Sequence, residues 1–256
     1  MGWTGDPTYD LALTAGLAFA VVTAVASRFV TTPYGRFAST RLGPTVPQRI
    51  GWLLLEVPAL IVFPAVYALG PQAAEPVPLG FAALWLFHYA NRALFFPLRM
   101  KVRPGARMGL VVPLTGWFVV PLHAWLYATW YARLGTHLTP AWLTDPRFGA
   151  GLATYAVGQT LVLHSEAVLR GLRAGDDSGY HIPQGGGFRW VSSPHYLGEI
   201  LAFTGMALAS WCPGGLFVLT ITLANLVPRA AATHAWYRQT FPDYPPGRRA
   251  LLPGVW

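Results

Sequence analysis

Residues 52–64 read WLLLEVPALIVFP, an apolar run broken by a single carboxyl group, Glu56. The run sits inside a longer apolar segment near 50–70, close to the roughly 20 residues that a helix needs to span the hydrocarbon core of a bilayer. A helix is the reading that fits, because it pairs every backbone N–H and C=O within the segment where no water can do so. Glu56 then occupies a place where ionisable groups are costly and mark functional sites by default. The plainer role for it is a hydrogen bond that glues two helices together.

Six further segments near 11–30, 79–97, 108–130, 147–170, 197–212 and 213–228 share this apolar character. The sixth would be only roughly 24 Å long, so it is expected to form a hairpin with the seventh, turning at Pro213, Gly214 and Gly215. The composition agrees: 54% of the 256 residues are hydrophobic and 11% charged, where soluble domains carry about 25%. These features predict an all-α polytopic membrane protein of seven transmembrane helices, one domain over 1–256, with no linker or internal repeat. The lone Cys212 excludes an internal disulfide. The N-terminal run lacks a basic leader and cleavage site, so it reads as a retained first helix.

The net charge of +8 raises the question of nucleic acid, and its distribution answers it. With the N-terminus outside, fourteen of the eighteen Lys and Arg fall on one face, while the opposite loops hold Arg133 and Arg147. That asymmetry is the positive-inside pattern and predicts a cytoplasmic basic face. The expected location is a bacterial inner membrane, with no nucleic-acid partner and no obligate protein partner.

Polar groups recur where lipid should be. The third segment carries FHYANR (87–92), with His88, Tyr89, Asn91 and Arg92 together. Glu56 would lie about 9 Å and Tyr89 about 12 Å from the same face, so the two can share one layer of a cavity. A hydroxyl beside a carboxyl group suits the polarising of a substrate carbonyl, although membrane tyrosines also serve as interfacial anchors. Nearer the basic face, His164, Glu166, Arg173, Glu199, Asn225, Arg229, His234 and Tyr237 gather from three helices. Above them runs GYHIPQGGGFRWVSSPHYLGE (179–199), whose five glycines and two prolines give a loop with close backbone access for a ligand. Two stacked sites are implied: an arginine-lined chamber for a phosphate-bearing cofactor, and an apolar pocket beneath it for a hydrophobic substrate. The triple glycine lacks the βαβ context of a dinucleotide fingerprint, and the histidines show no metal-ligand spacing.

SGYHIPQGGGFRWVSSPHYLGEI (178–200), LHSEAVLRGLR (163–173), the closing YRQTFPDYPPGRRALLPGVW (237–256), LLLEVP (53–58) and FHYANR (87–92) together resemble the steroid 5-alpha-reductases, in motif order from about Tyr34 onward. The resemblance implies a seven-helix membrane enzyme that uses NADPH to reduce the 4,5 double bond of 3-oxo-Δ4 steroids, with the Gly-rich loop covering the cofactor. It implies that Glu56 and Tyr89 contact the 3-carbonyl, that hydride passes to C5, and that a proton reaches C4 from Tyr89 or water. Glu56 either donates a hydrogen bond when protonated or, ionised, orients Tyr89. Glu166, Arg173, Tyr180, Glu199, Arg229 and Tyr237 match positions around NADPH, with Arg103 a further candidate for the phosphates. His195 and Thr233 occupy cofactor-site positions where the mammalian pattern has Asn and His. The chain also departs from that pattern at Leu55 for Gln, Val162 for Asn and Glu166 for Asp.

The loop resembles the isoprenylcysteine carboxyl methyltransferases more loosely, through SPHYLG (193–198) alone, and the acidic pair of that family is missing near Asp243. The same features would also suit a reductase of a different sterol or of an enoyl lipid. A non-enzymatic lipid carrier could use intramembrane Glu and Tyr for recognition, although the repeats and interrupted helices frequent in transporters are not found.

Overall fold

The computed structural model describes residues 2–39, 41, 43–172 and 179–256. Helix α1 (Pro7–Ala26) begins where Asp6 accepts a hydrogen bond from the Tyr9 N–H and Pro7 fills the first turn, where no N–H is needed. Its outward residues, such as Leu11, Val21, Val22 and Val25, are exposed, as a lipid-facing surface requires. Its inward face carries Gly16, which lets Phe217 and Leu122 approach closely. Helix α2 (Gln48–Tyr67) holds Glu56; α3 (Pro76–Ala90) runs through a π-helical turn (Asn91–Phe95) into α4 (Phe96–Arg99). Helices α5 (Val111–Thr129, extended by a second π turn over Trp130–Leu134), α6 (Pro146–Gly171), α7 (Pro194–Ser210) and α8 (Gly214–Thr240) follow.

Among the described residues these elements make seven helical rods, matching the expected order, and the protein is an all-α membrane protein. By length and hydropathy alone, α1, α2, α5 with its extension, and α8 qualify as membrane spans. One element was not anticipated: a short antiparallel ribbon of β1 (Thr45–Pro47) and β2 (Arg107–Gly109), which ties the start of α2 to the start of α5.

The prolines of α2 and the rod α3–α4 explain local details near the site. Pro58 cannot donate to the Leu54 carbonyl, and the indole N–H of Trp117 on α5 binds that carbonyl at 2.8 Å instead. Pro97 likewise withholds a donor from Ala93, and just before it the Phe96 N–H reaches back to Asn91, making the π turn beside Arg92.

The hairpin expectation needs correction in two respects. Gly214 and Gly215 lie in the first turn of α8 rather than in the connection, and α8 continues through Pro228 to Thr240, twelve residues beyond the predicted end. Gly215 is small because Ala207 of α7 leaves no room, with its Cα 3.0 Å from where a Cβ would stand. The 17-residue α7 ends without exposing orphan carbonyls. Ala207 and Leu208 accept from the backbone of Cys212 and Trp211. Trp142 Nε1 binds the Ala209 carbonyl at 2.7 Å, while Trp130 Nε1 and His137 Nε2 lie 3.2 and 3.1 Å from that of Ser210. Burial of His137 lowers its basicity.

Helices α6 and α7 meet backbone to backbone. Gly151 and Gly158 face Ala209 and Ala202, and Gly198 and Gly205 face Gly158 and Tyr155. A Cβ on Gly198 would stand 2.7 Å from the Gly158 carbonyl oxygen, and one on Gly205 2.5 Å from that of Gly151. Small residues at such a seam replace the missing hydrophobic drive with van der Waals contact. The seam fixes Glu166 on α6 against Glu199 on α7.

Candidate active site

All these helices contribute to one cavity of about 640 Å³, α4 through its first residue, Phe96. Its deeper wall is apolar, with Phe19, Val119, Val120, Phe203, Val218 and Ile221. Its other half is polar and includes Arg36, Glu56, Arg92, Glu166, Arg170, Glu199 and Arg229. The two stacked sites expected from sequence are thus one continuous space.

Glu56 is buried, and its Oε1 accepts from Arg92 Nε at 3.1 Å. The same guanidinium reaches Glu199 Oε1 at 3.5 Å, so one cation serves two carboxyl groups. Arg92 is held by stacking, its Cζ 4.7 Å from the Trp52 ring centre and 5.3 Å from that of Phe96. Tyr89, three residues earlier on the same helical rod, stacks on Trp85 at 4.2 Å. Its hydroxyl lies 2.6 Å from Nδ1 of His123 on α5. Glu56 and Tyr89 therefore line the same cavity, but the hydrogen-bond partner of Tyr89 is His123 and that of Glu56 is Arg92.

Glu166, Tyr180, His195, Glu199, Arg229, Thr233 and Tyr237 also line the cavity. Arg229 is buried, and each of its three nitrogens donates to protein: Nε to the Tyr196 hydroxyl at 2.8 Å, Nη1 to the Thr32 carbonyl at 2.8 Å and Nη2 to the Tyr34 carbonyl at 3.0 Å. It straps α8 to the segment after α1. Burial raises the Tyr34 phenol above its usual range, against the opposing pull of Arg229. Arg103 does not line the cavity. It stands in a neighbouring shallow pocket with Arg49 and Arg107, and touches the site through Tyr180, whose ring centre lies 3.7 Å from its Cζ. Arg173 lies outside the described residues.

The Gly-rich loop is fastened on two sides. Gly185 and Gly186 take φ of 82° and 50°, angles that disfavour any side chain, and Gly186 packs against the His164 ring. Arg248 of the C-terminal tail donates to the Pro183 carbonyl at 2.9 Å and to Gln184 at 2.7 Å. Ser192 N–H donates to the Arg249 carbonyl at 2.8 Å.

Three functional candidates were not assigned from sequence. Arg92 had a signal, since it stands three residues after Tyr89 and so shares its helix face. Arg36 had none: its guanidinium lies 4.4 Å from the Trp236 ring centre and 4.5 Å from that of Tyr237, and donates to the Tyr237 hydroxyl at 3.1 Å. Its Nη1 is buried with no hydrogen-bond partner among the described residues. His123 had the signal that marks Glu56, an ionisable side chain within an apolar run, but nothing in its own segment pairs it with Tyr89.

Residues 106–256 match the family described as 3-oxo-5-alpha-steroid 4-dehydrogenase. The chain is 37% identical over 240 residues to the steroid 5-alpha-reductase DET2 of Solanum lycopersicum, covering 93% of each chain. It is 34% identical over 239 residues to the 3-oxo-5-alpha-steroid 4-dehydrogenase 1 of Rattus norvegicus, covering 92% of this chain and 91% of that one. The corresponding Homo sapiens protein is 33% identical over 222 residues, covering 86% and 85%. The chain belongs to the 3-oxo-5-alpha-steroid 4-dehydrogenase family. As a member it is an integral membrane oxidoreductase acting on a CH–CH group, which sets aside the methyltransferase and carrier readings.

Proposed function

We propose that this protein reduces the 4,5 double bond of 3-oxo-Δ4 steroids to 5α-dihydrosteroids, with NADPH as the reductant. The observation that carries the reading is the placing of Glu56 and Tyr89 on one cavity, between an apolar wall and a chamber of arginines. The names of the relatives support the substrate class.

The chamber has the chemistry to hold NADPH. Arg36 offers a buried, unpartnered Nη1, and Lys101 and Arg170 line the same space. The rings of Tyr180 and Tyr237 provide flat apolar surfaces. Glu166, His195, Glu199, Arg229 and Thr233 complete the proposed cofactor wall, with Arg103 acting through Tyr180 and Arg173 proposed on sequence alone. NADPH, when bound, would supply the hydride for C5, and a proton from Tyr89 or water would complete the reduction at C4.

The chain supplies electrostatics and position. A steroid with its rings against Phe19, Val119 and Val218 would present its 3-oxo group to Tyr89 and Glu56. Donors aimed at that oxygen stabilise the negative charge that develops there as C5 accepts hydride. Glu56 gives Oε1 to Arg92 and retains Oε2, which donates when protonated. The basic face, and the chamber with it, is proposed to be cytoplasmic.

The test uses purified protein in detergent with deuterated NADPH and progesterone or testosterone, followed by mass spectrometry. A 5α-dihydro product labelled at C5 is expected. NADPH binding without product would move the substrate to another unsaturated sterol or enoyl lipid, and loss of both would overturn the reading. Glu56→Gln and Tyr89→Phe should each lose most turnover while NADPH still binds.

A further inference from the structure

His123 is a buried histidine 34 residues from Tyr89 in sequence, and its Nδ1 lies 2.6 Å from the Tyr89 hydroxyl oxygen. Two arrangements of the protons satisfy that distance, and they have opposite consequences. If His123 carries its proton on Nε2, Tyr89 donates to Nδ1 and its proton is committed to His123 rather than to a ligand. If the proton is on Nδ1, His123 donates to the phenol oxygen and leaves the Tyr89 proton free for a ligand.

The surroundings of the other ring nitrogen choose between them. Nε2 is buried and has no hydrogen-bond partner among the described residues. The neighbours of the ring are aromatic: Tyr127 at 5.1 Å, Phe203 at 5.4 Å and Trp85 at 5.8 Å between centroids. His88, the other histidine of this layer, is also buried, with its ring 5.0 Å from that of Phe203. A proton on Nε2 would leave a buried N–H donor without an acceptor, the rarer and costlier defect, whereas a bare ring nitrogen forfeits less.

We propose that His123 is a positioning residue: held as the Nδ1–H tautomer, it donates to the Tyr89 oxygen and so turns the Tyr89 proton into the cavity toward the substrate carbonyl. The inference rests on the catalytic role proposed above for Tyr89. A donor at its oxygen also strengthens the phenol as a donor in turn, because chained hydrogen bonds polarise one another. It steadies negative charge that reaches the phenol oxygen as the 3-oxo group becomes enolate-like. His123 itself touches neither reacting atom in this scheme.

The experiment compares His123→Leu, His123→Asn, Tyr89→Phe and the double variant Tyr89→Phe/His123→Leu, all purified intact in detergent. His123→Leu should lower kcat by about 10–100-fold, less than the about 10²–10³-fold of a lost oxyanion donor because His123 acts through Tyr89. KM for steroid should change less than about threefold, and NADPH binding by fluorescence should persist, because the donor acts mainly on developing charge. Asparagine places an amide N–H near the former Nδ1 and should recover about tenfold of that loss. The double variant should be no slower than Tyr89→Phe, since His123 acts through the hydroxyl that is already gone. Nitrogen-15 NMR of histidine-labelled enzyme, assigned by loss of a signal in His123→Asn, should report the Nδ1–H tautomer. An Nε2–H tautomer, unchanged kcat in His123→Leu, or additive losses in the double variant would each overturn the proposal. A Tyr89→Phe variant of near-normal rate would instead overturn the assigned catalytic pair. Should His123→Leu fail to fold, the asparagine variant and the tautomer measurement decide the matter.

Discussion

Gly205→Ala tests whether the α6–α7 seam sets the geometry of the site. The added Cβ would stand 2.5 Å from the Gly151 carbonyl oxygen and 2.8 Å from Tyr155 Cα, where ordinary contact begins at 3.4 Å. These and the Tyr155 nitrogen, nearest of all at 2.3 Å, are backbone atoms of α6, so no side chain can swing aside, and the helices must separate locally by about 1.1 Å. Overpacking of that size costs about 1–3 kcal/mol. Near the Tm this corresponds to a fall of roughly 2–12 °C for a domain of this size. Glu199 lies six residues away on α7 and Glu166 faces it from α6, so the separation reaches the carboxyl groups around Arg92. A displacement of about 1 Å in positioning groups can lower a rate by about 10²-fold. The control is Gly149→Ala on the same α6, where an added Cβ meets nothing within 4 Å. There the better helix propensity of alanine should stabilise by up to about 1 kcal/mol. The assay is thermal unfolding in detergent paired with initial rates. Equal stability and equal turnover for the two variants would refute the idea that the seam is sterically closed.

Three further outcomes follow from named contacts. Trp117→Phe should lower stability by about 1–2 kcal/mol, seen as a reduced Tm, because the Leu54 carbonyl freed by Pro58 loses its indole donor in a region without water. Arg92→Met should cost about 3–5 kcal/mol by stranding Glu56 and Glu199; adding Glu56→Gln should restore part of the Tm, and failure to do so would deny the pairing. Asp145 is held at about 2 mainly by hydrogen bonding from Arg147. A depressed carboxyl stabilises the fold above its unfolded value of about 3.9 and loses that contribution as pH falls toward the folded value. The Tm difference between wild type and Asp145→Asn should therefore be constant near neutrality and shrink between about pH 4 and pH 2.

The helices were legible because hydrocarbon imposes one simple demand on sequence, and segments such as 11–30 and 50–70 meet it. Their ends were less legible because they depend on distant partners. The apolar span of α8 ends near Pro228, whereas the helix runs on through that proline to Thr240, its last turns carrying the polar residues Arg229, His234 and Tyr237 toward the site. The turn before it was misplaced because Gly214 and Gly215 serve helix packing, a role that looks the same in sequence as turn formation. Within the site, Glu56 and Tyr89 stood out as polar groups in apolar runs. Arg36 and His123 act through rings and hydroxyls brought from other helices, so no spacing within their own segments marks them. Arg103 shows the opposite error: its charge and loop position are legible, but the Tyr180 ring that stands between it and the cavity is not.

The two sides of the cavity are built differently, and this bears on how it could admit a large apolar substrate. Glu166 and Glu199 stand on helices joined through glycines, where backbone lies against backbone. Glu56, Tyr89 and His123 come from α2, α3 and α5, which pack through bulky side chains: Trp52 against Phe96, and Trp85 against Tyr89 and His123. Side-chain packing of that kind can adjust by rotamer changes, whereas a glycine seam has no side chain to move. The adjustable side carries the groups proposed to meet the steroid, and Glu166, His195 and Glu199 of the proposed cofactor wall stand on the fixed side. Arg92 links the sides, its guanidinium reaching Glu56 on α2 at 3.1 Å and Glu199 on α7 at 3.5 Å.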